Sequence, residues 1–139
     1  GRGIAAAFML GAKGVQLGTR FVATKEAVVH ENYKQYIIKA KDIDTRVTGR
    51  STGHPVRVLR NQITNKYLEM EKQGATFEEL ESLTVGGLRR AVQEGDTKTG
   101  SLMSGQIAGM IHDEPTCAEV IQRLVAETDK LMKGTGMYE

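Results

Sequence analysis

The sequence predicts an α/β protein, the C-terminal portion of a β/α barrel that carries a small, mainly helical inserted subdomain. Three observations point there. An apolar helix, a glycine turn and a short extended segment follow one another through GRGIAAAFMLGAKGVQLGTRF at residues 1–21, which is half of a β/α repeat. The extended segment, 14–18, cannot stand alone, because a strand needs partners on its edges. The chain then closes on a long amphipathic helix whose apolar stripe must cover something. A parallel unit also requires a strand ahead of Gly1. The 139 residues therefore read as the tail of something larger rather than a free-standing domain.

The elements follow in order. Residues 3–11 are apolar on nearly every side (Ile4, Ala5, Ala6, Ala7, Phe8, Met9, Leu10), the pattern of a helix packed between neighbours. Gly11 and Gly14 sit where a C-terminal cap belongs, and 14–18 (GVQLG) is the short strand, with Thr19, Arg20 and Phe21 at its end. Residues 26–41 read as a helix with Val28, Tyr33, Ile37, Ile38 and Ala40 inward. Residues 42–60 are extended: Thr45 to Thr48, a turn through Gly49 and Gly53, then Val56 to Arg60. Asn61 caps an amphipathic helix to Lys72, carrying Ile63, Tyr67, Leu68 and Met70, and Gly74 ends it. Thr76 with Glu79 is a capping box that opens a short helix to Leu83. Another helix spans 85–93, stopped by Gly95. The segment GSLMSGQIAGMI follows a polar loop, and Asp113-Glu114-Pro115 starts the last helix, 116–133, with Ala118, Ile121, Leu124, Val125, Leu131 and Met132 inward.

Composition excludes several classes. Forty per cent hydrophobic and 26% charged residues are ordinary for a globular chain. A net charge of +2, with Lys and Arg interleaved among acids, lacks the basic stripe of a nucleic-acid binder. One cysteine, Cys117, forbids an internal disulfide and suits a reducing compartment; the expected location is the cytoplasm. The longest apolar run, 4–10, is too short to span a bilayer, and it lacks the basic leader of a signal peptide.

Two constellations bear on chemistry. Gly1-Arg2-Gly3 and Gly18-Thr19-Arg20 place glycines at two turns. In a barrel, a ligand phosphate sits between the loops after the last two strands, where free backbone N–H groups attract it and a side chain would hold it off. The same glycines serve equally as plain tight turns. GRGIAA also matches the dinucleotide fingerprint, but that needs a preceding strand and an acid where the next strand ends; Gly18, Thr19 and Arg20 stand there instead. The second constellation is 100–109, whose small residues with Met103, Ser104 and Gln106 suit backbone packed close to a flat ligand, or close helix packing. His30, His54 and His112 have no metal-ligand spacing with Cys117, and no metal is expected. His30 and His112 read as exposed helix-end residues. His54 reads as a turn residue that, with Arg57, also stands where it can face a ligand. Cys117 reads as structural, and Met70 and Met110 as core.

Taken together, GRGIAAAFMLGAKGVQLGTRF, DIDTRVTGRSTGHPVRVLRN and GSLMSGQIAGMI form an ordered set. The chain resembles the C-terminal portion of the flavin-dependent enoyl-acyl-carrier-protein reductases II and their relatives, the nitronate monooxygenases (2-nitropropane dioxygenases). TGHPVRVLRN and SLMSGQIAG are more similar to the reductase. The resemblance implies an FMN-binding (β/α)8 TIM barrel, with residues 1–43 as its end and phosphate site. It makes 44–100 an inserted substrate-side lid and 101–139 the return to the barrel with the C-terminal helix. Gly18, Thr19 and Gly3 would hold the FMN phosphate, with Gln106 beside the cofactor. Met103, Ser104, His54 and Arg57 would lie on the substrate side. The family's catalytic histidine belongs to the N-terminal part, so no catalytic residue is expected in this chain, and alone it should be inactive. NADH or NADPH would supply the hydride. The implied partners are the rest of the barrel, acyl carrier protein (met by Arg46, Arg50, Arg57 and Arg60, or these form a solvated rim) and a second copy. A nitronate monooxygenase on the same fold is the alternative; a non-catalytic helical interaction module is the alternative of another class.

Overall fold

A computed structural model describes residues 1–134; the last five residues of the expected 101–139 segment lie outside them. The architecture is mixed α/β, and one short hairpin organises it. Strands β1 (Thr45–Thr48) and β2 (Val56–Leu59) pair antiparallel, Thr45 opposite Leu59 and Thr48 opposite Val56. Gly49 and Gly53 both sit at φ +75°, and a Cβ at Gly49 would collide with the His54 carbonyl, so the turn expected there depends on glycine.

The hairpin has two covered faces. On one, Leu59 is buried against helix α3 (Glu31–Ile38), and Tyr33, Ile37, Leu102, Ala108 and Ile111 complete that core. On the other, Val58 faces helix α4 (Gln62–Lys72) and helix α5 (Phe77–Thr84). The alternation of Val56, Arg57, Val58 and Leu59 assigns these faces, since successive strand side chains point to opposite sides. Helix α6 (Gly87–Val92) adds Ala91 to the core.

Helix starts follow the capping chemistry closely. Asn61 Oδ1 accepts from the Thr64 amide at 3.0 Å, and full capping boxes form at Thr76/Glu79 and Thr116/Glu119. The last of these opens helix α7 (Cys117–Lys133), against which helix α1 (Arg2–Met9) packs. Glu127 of α7 lies against Gly1, its carboxylate 2.8 Å from the Gly1 nitrogen.

Several expectations are corrected. Residues 14–18 form no strand: no other described segment offers them a hydrogen-bond ladder. A short helix α2 (Thr19–Val22) follows instead. The helix expected over 26–41 begins only at Glu31, because His30 caps it by accepting from the Asn32 amide at 3.1 Å; Val28 thus falls in a loop, 96% exposed. Helix α1 is covered on one side only, with Ala5 buried and Leu10 90% exposed. On α7 the buried positions are Val120 and Thr128, whereas Ala118, Ile121, Val125 and Met132 are exposed and only Leu124 and Leu131 are partly covered. The burial stripe on α7 is therefore turned from the one the apolar residues alone suggest.

His112 lies in the loop after a 3-10 turn (Gln106–Met110) rather than at a helix end. No helix among the described residues is long and apolar enough to cross a membrane.

Candidate active-site rim

The segment 102–104 runs along the free edge of β2. The Leu59 amide donates to the Leu102 carbonyl at 2.8 Å, and the Ser104 amide to the Arg57 carbonyl at 3.1 Å; Met103 bridges Val58. Strand-like alternation then divides the side chains. Leu102 is fully buried, Met103 is 44% exposed and Ser104 is buried again.

Two contacts fix this segment from the far side. The Tyr33 hydroxyl donates to the Met103 carbonyl at 2.6 Å. The Thr19 hydroxyl accepts from the Gly105 amide at 2.8 Å, joining residues 86 apart in the chain. The second contact brings together the two constellations that the sequence keeps separate. Gln106 follows, exposed, at the start of the 3-10 turn.

Burial pushes the Tyr33 phenol up from 10 to about 12. Free tyrosine ionises near 10, so the stability this group contributes is intact below pH 10 and is lost as the pH rises from 10 to 12. Tyr33→Phe is expected to lower stability by about 1–2 kcal/mol at neutral pH, by orphaning the Met103 carbonyl, and to flatten that alkaline loss. Urea unfolding of both proteins at pH 8 and pH 11 checks it. An unchanged alkaline slope in the variant would mean that Tyr33 is not the titrating group.

Gly3 and Gly18 both face open space: a Cβ at either would meet nothing within 4 Å. Gly3 lines a groove of about 430 Å³ with Ile4, Val15, Leu17, Arg20 and Ile107. Among the described residues no carboxylate lines that groove directly, although Glu127 reaches Gly1 at its edge, and the first-turn amides of α1 have no intrahelical partner. Arg20 is already engaged. It donates to the Asp113 carboxylate at 2.9 Å and to the Ala23 and Asp113 carbonyls at 2.7 and 2.8 Å. Hydrogen bonds from Arg123 and then Arg20 hold the Asp113 carboxyl below the usual carboxylate range.

The substrate-side residues divide. His54 and Met103 line one groove of about 300 Å³ between the hairpin, α4 and α5. The His54 ring lies 5.9 Å from that of Phe77, and His54 Nδ1 is 2.9 Å from the Thr52 carbonyl, as a turn residue would be. Arg57 does not join them: it is on the opposite face of β2 and donates to the Thr45 hydroxyl at 3.0 Å. Ser104 does not line the groove either, being buried by the same alternation that exposes Met103. Phe77 and Tyr33 were missed as site residues. An apolar residue at the first position of α5 was the available sign for Phe77. Nothing in the sequence distinguishes Tyr33 from any other inward aromatic.

Cys117 is a free, partly buried thiol 3.5 Å from the Thr24 hydroxyl. Among the described residues no group of three or more His, Cys, Asp and Glu is placed to hold a metal ion.

Comparison with known proteins gives the family. A solved structure of FabK from Thermotoga maritima superposes with a TM-score of 0.90 at 47% identity, over 96% of this chain and 42% of that one. The nitroalkane oxidase of Streptomyces ansochromogenes superposes at 0.73 with 28% identity, over 94% and 37%. A probable nitronate monooxygenase of Staphylococcus saprophyticus is 31% identical over 95% of this chain and 37% of its own length. The chain spans less than half the length of the curated relatives it matches. The family model described as nitronate monooxygenase matches residues 1–127, which takes in both glycine turns, the hairpin and the Met103 segment; the chain belongs to the nitronate monooxygenase family of flavin-dependent oxidoreductases.

Proposed function

We propose that this chain is the C-terminal part of an FMN-dependent enoyl-acyl-carrier-protein reductase built on a TIM barrel, with residues 44–100 as an inserted substrate-side subdomain. The observation that carries the reading is the likeness to FabK, an enoyl-acyl-carrier-protein reductase II, at 47% identity. The relatives named for nitronate or nitroalkane oxidation reach 26–31%.

The residues present fit a flavin phosphate. Gly3 and Gly18 leave backbone open on the side a ligand would approach; the Glu127 carboxylate stands at the adjoining Gly1, so the opening at Gly18 and Thr19 is the less obstructed of the two. Bound there, FMN would supply the hydride chemistry between NADH or NADPH and the enoyl double bond. The chain's own residues bind and orient. The amides near Gly3, Gly18 and Thr19 would hold the phosphate end. Thr19, by anchoring Gly105, sets the distance between that end and the segment carrying Met103 and Gln106. Tyr33 fixes the same segment from the core. Met103 and Gln106 then wall the cavity and exclude water. No residue of this chain is assigned a catalytic proton transfer; that group belongs to the N-terminal part of the same barrel, the first partner of this reading. Acyl carrier protein, met by the exposed Arg50 and Arg60 with the partly covered Arg46 and Arg57 beside them, and a second copy of the protein are the others, and the compartment is the cytoplasm.

The family model favours a second reading, nitronate oxidation with oxygen on the same cofactor. The full-length protein decides between them. The expected result is a flavin absorbance band with NADH or NADPH oxidation on adding a crotonyl thioester. Oxygen uptake with an alkyl nitronate, and no nicotinamide oxidation with the thioester, would establish the second reading instead.

A further inference from the structure

The Gly18–Thr19 turn proposed for the flavin phosphate has little structure of its own. Helix α2, which it opens, is a single turn of four residues, too short to hold a position unaided. Whatever grips α2 therefore decides where the Gly18 and Thr19 amides point. Three consecutive residues ahead of α7 supply that grip. Asp113 accepts from Arg20 through its carboxylate at 2.9 Å and through its carbonyl at 2.8 Å. The Pro115 carbonyl accepts from the Lys25 amide at 3.1 Å. Glu114 acts through Lys34, whose ammonium also donates to the Thr24 carbonyl.

Arg20 does more than pair with an acid. The same guanidinium donates to the carbonyl of Ala23, the residue that ends α2, at 2.7 Å. One fork thus ties the end of the turn to Asp113, while the Thr19 hydroxyl ties its start to Gly105. We propose that Arg20 and Asp113 are positioning residues for the flavin phosphate, setting the direction of the Gly18 and Thr19 amides through α2. This rests on the FMN reading, which the reductase and nitronate alternatives share, and not on the choice between them.

Two observations favour positioning over direct contact or plain stabilisation. Both terminal nitrogens of Arg20 are taken by these acceptors and its Nε is buried, so the guanidinium grips protein rather than ligand. The Asp113 side chain is half open to water, where an ion pair contributes little stability. What such a pair can still do is fix where a short segment sits.

Titration of the full-length apoprotein with FMN and with riboflavin, followed by quenching of flavin fluorescence, tests the pair. Wild-type protein is expected to prefer FMN by about a hundredfold, the scale of one or two hydrogen bonds to a charged group. Arg20→Lys keeps the charge but loses the fork. It should cut that preference about tenfold, the low end for lost supporting contacts around a bound metal, and leave riboflavin binding within about threefold. Asp113→Ala, which removes the carboxylate tie and leaves Arg20 its charge, should shift the preference the same way and guards against one variant failing to fold. Folded variants that keep the wild-type preference would overturn the proposal. So would an equal loss for both flavins, which is what general loosening gives. Wild-type protein that binds riboflavin as tightly as FMN would overturn the phosphate reading itself, and the proposal with it.

Discussion

Leu102→Ala is expected to cost about 3–4 kcal/mol, the range for emptying a fully buried leucine site that cannot collapse. Leu102 has no exposed surface, and it lies in the core with Ile37, Leu59, Ala108 and Ile111. Its carbonyl also accepts from the Leu59 amide at 2.8 Å, so neighbours tied to the hairpin are poorly placed to fill the cavity. The consequence for function comes through geometry: Met103 takes its outward position from the same short ladder. Leu102→Met, which nearly conserves volume, should cost less than about 1.5 kcal/mol. Leu10→Ala, at a site 90% exposed, should stay within about 0.5 kcal/mol. Urea midpoints of the three variants are the measurement. A Leu102→Ala cost below that of Leu102→Met would mean that the 102–104 edge is not packed as described.

Glu114→Gln is expected to cost about 3 kcal/mol, near the low end for a buried pair broken from one side. Lys34 is buried at 5% exposure, where lysine is rare. Its ammonium donates to Glu114 at 2.9 Å and to the Thr24 carbonyl at 2.7 Å. Removing the carboxylate charge leaves a cation that the surrounding core cannot solvate, although the Glu114 side chain, 23% exposed, admits some water. The adjacent Asp113 is the control. Its side chain is 50% exposed and pairs with Arg20 and Arg123, so Asp113→Asn should cost under about 1 kcal/mol. Equal melting-temperature losses for the two variants would show that burial of Lys34 contributes nothing. The pair matters to the fold because Lys34 on α3 and Glu114 before α7 join the core to the helix on which α1 packs.

The local elements with side-chain punctuation were the legible ones. Asn61, the Thr76/Glu79 and Thr116/Glu119 boxes, and the glycines at 49, 53, 74 and 95 set boundaries because each acts through its own neighbouring backbone. The failures share a different cause. Residues 14–18 have strand composition but no edge among the described residues to pair with, and the apolar pattern of 26–30 gave way to a histidine cap. On α7, Ile121 and Val125 look inward on a helical wheel, yet helix α1 packs on the neighbouring stripe instead.

The candidate site divides in the same way. From the sequence came the two glycine turns, the Met103 segment and the family resemblance, because glycine at a turn and small residues in a run are visible one position at a time. The pairing of Thr19 with Gly105, the anchoring of Met103 by Tyr33 and the convergence of His54 and Phe77 on one groove are contacts between distant residues. So is the exclusion of Arg57 and Ser104 from that groove. It depends on which strand face they occupy, and a one-residue change of register would reverse it. Composition and capping determined what the pieces are; packing of one hairpin between two helical layers decided which of their side chains meet.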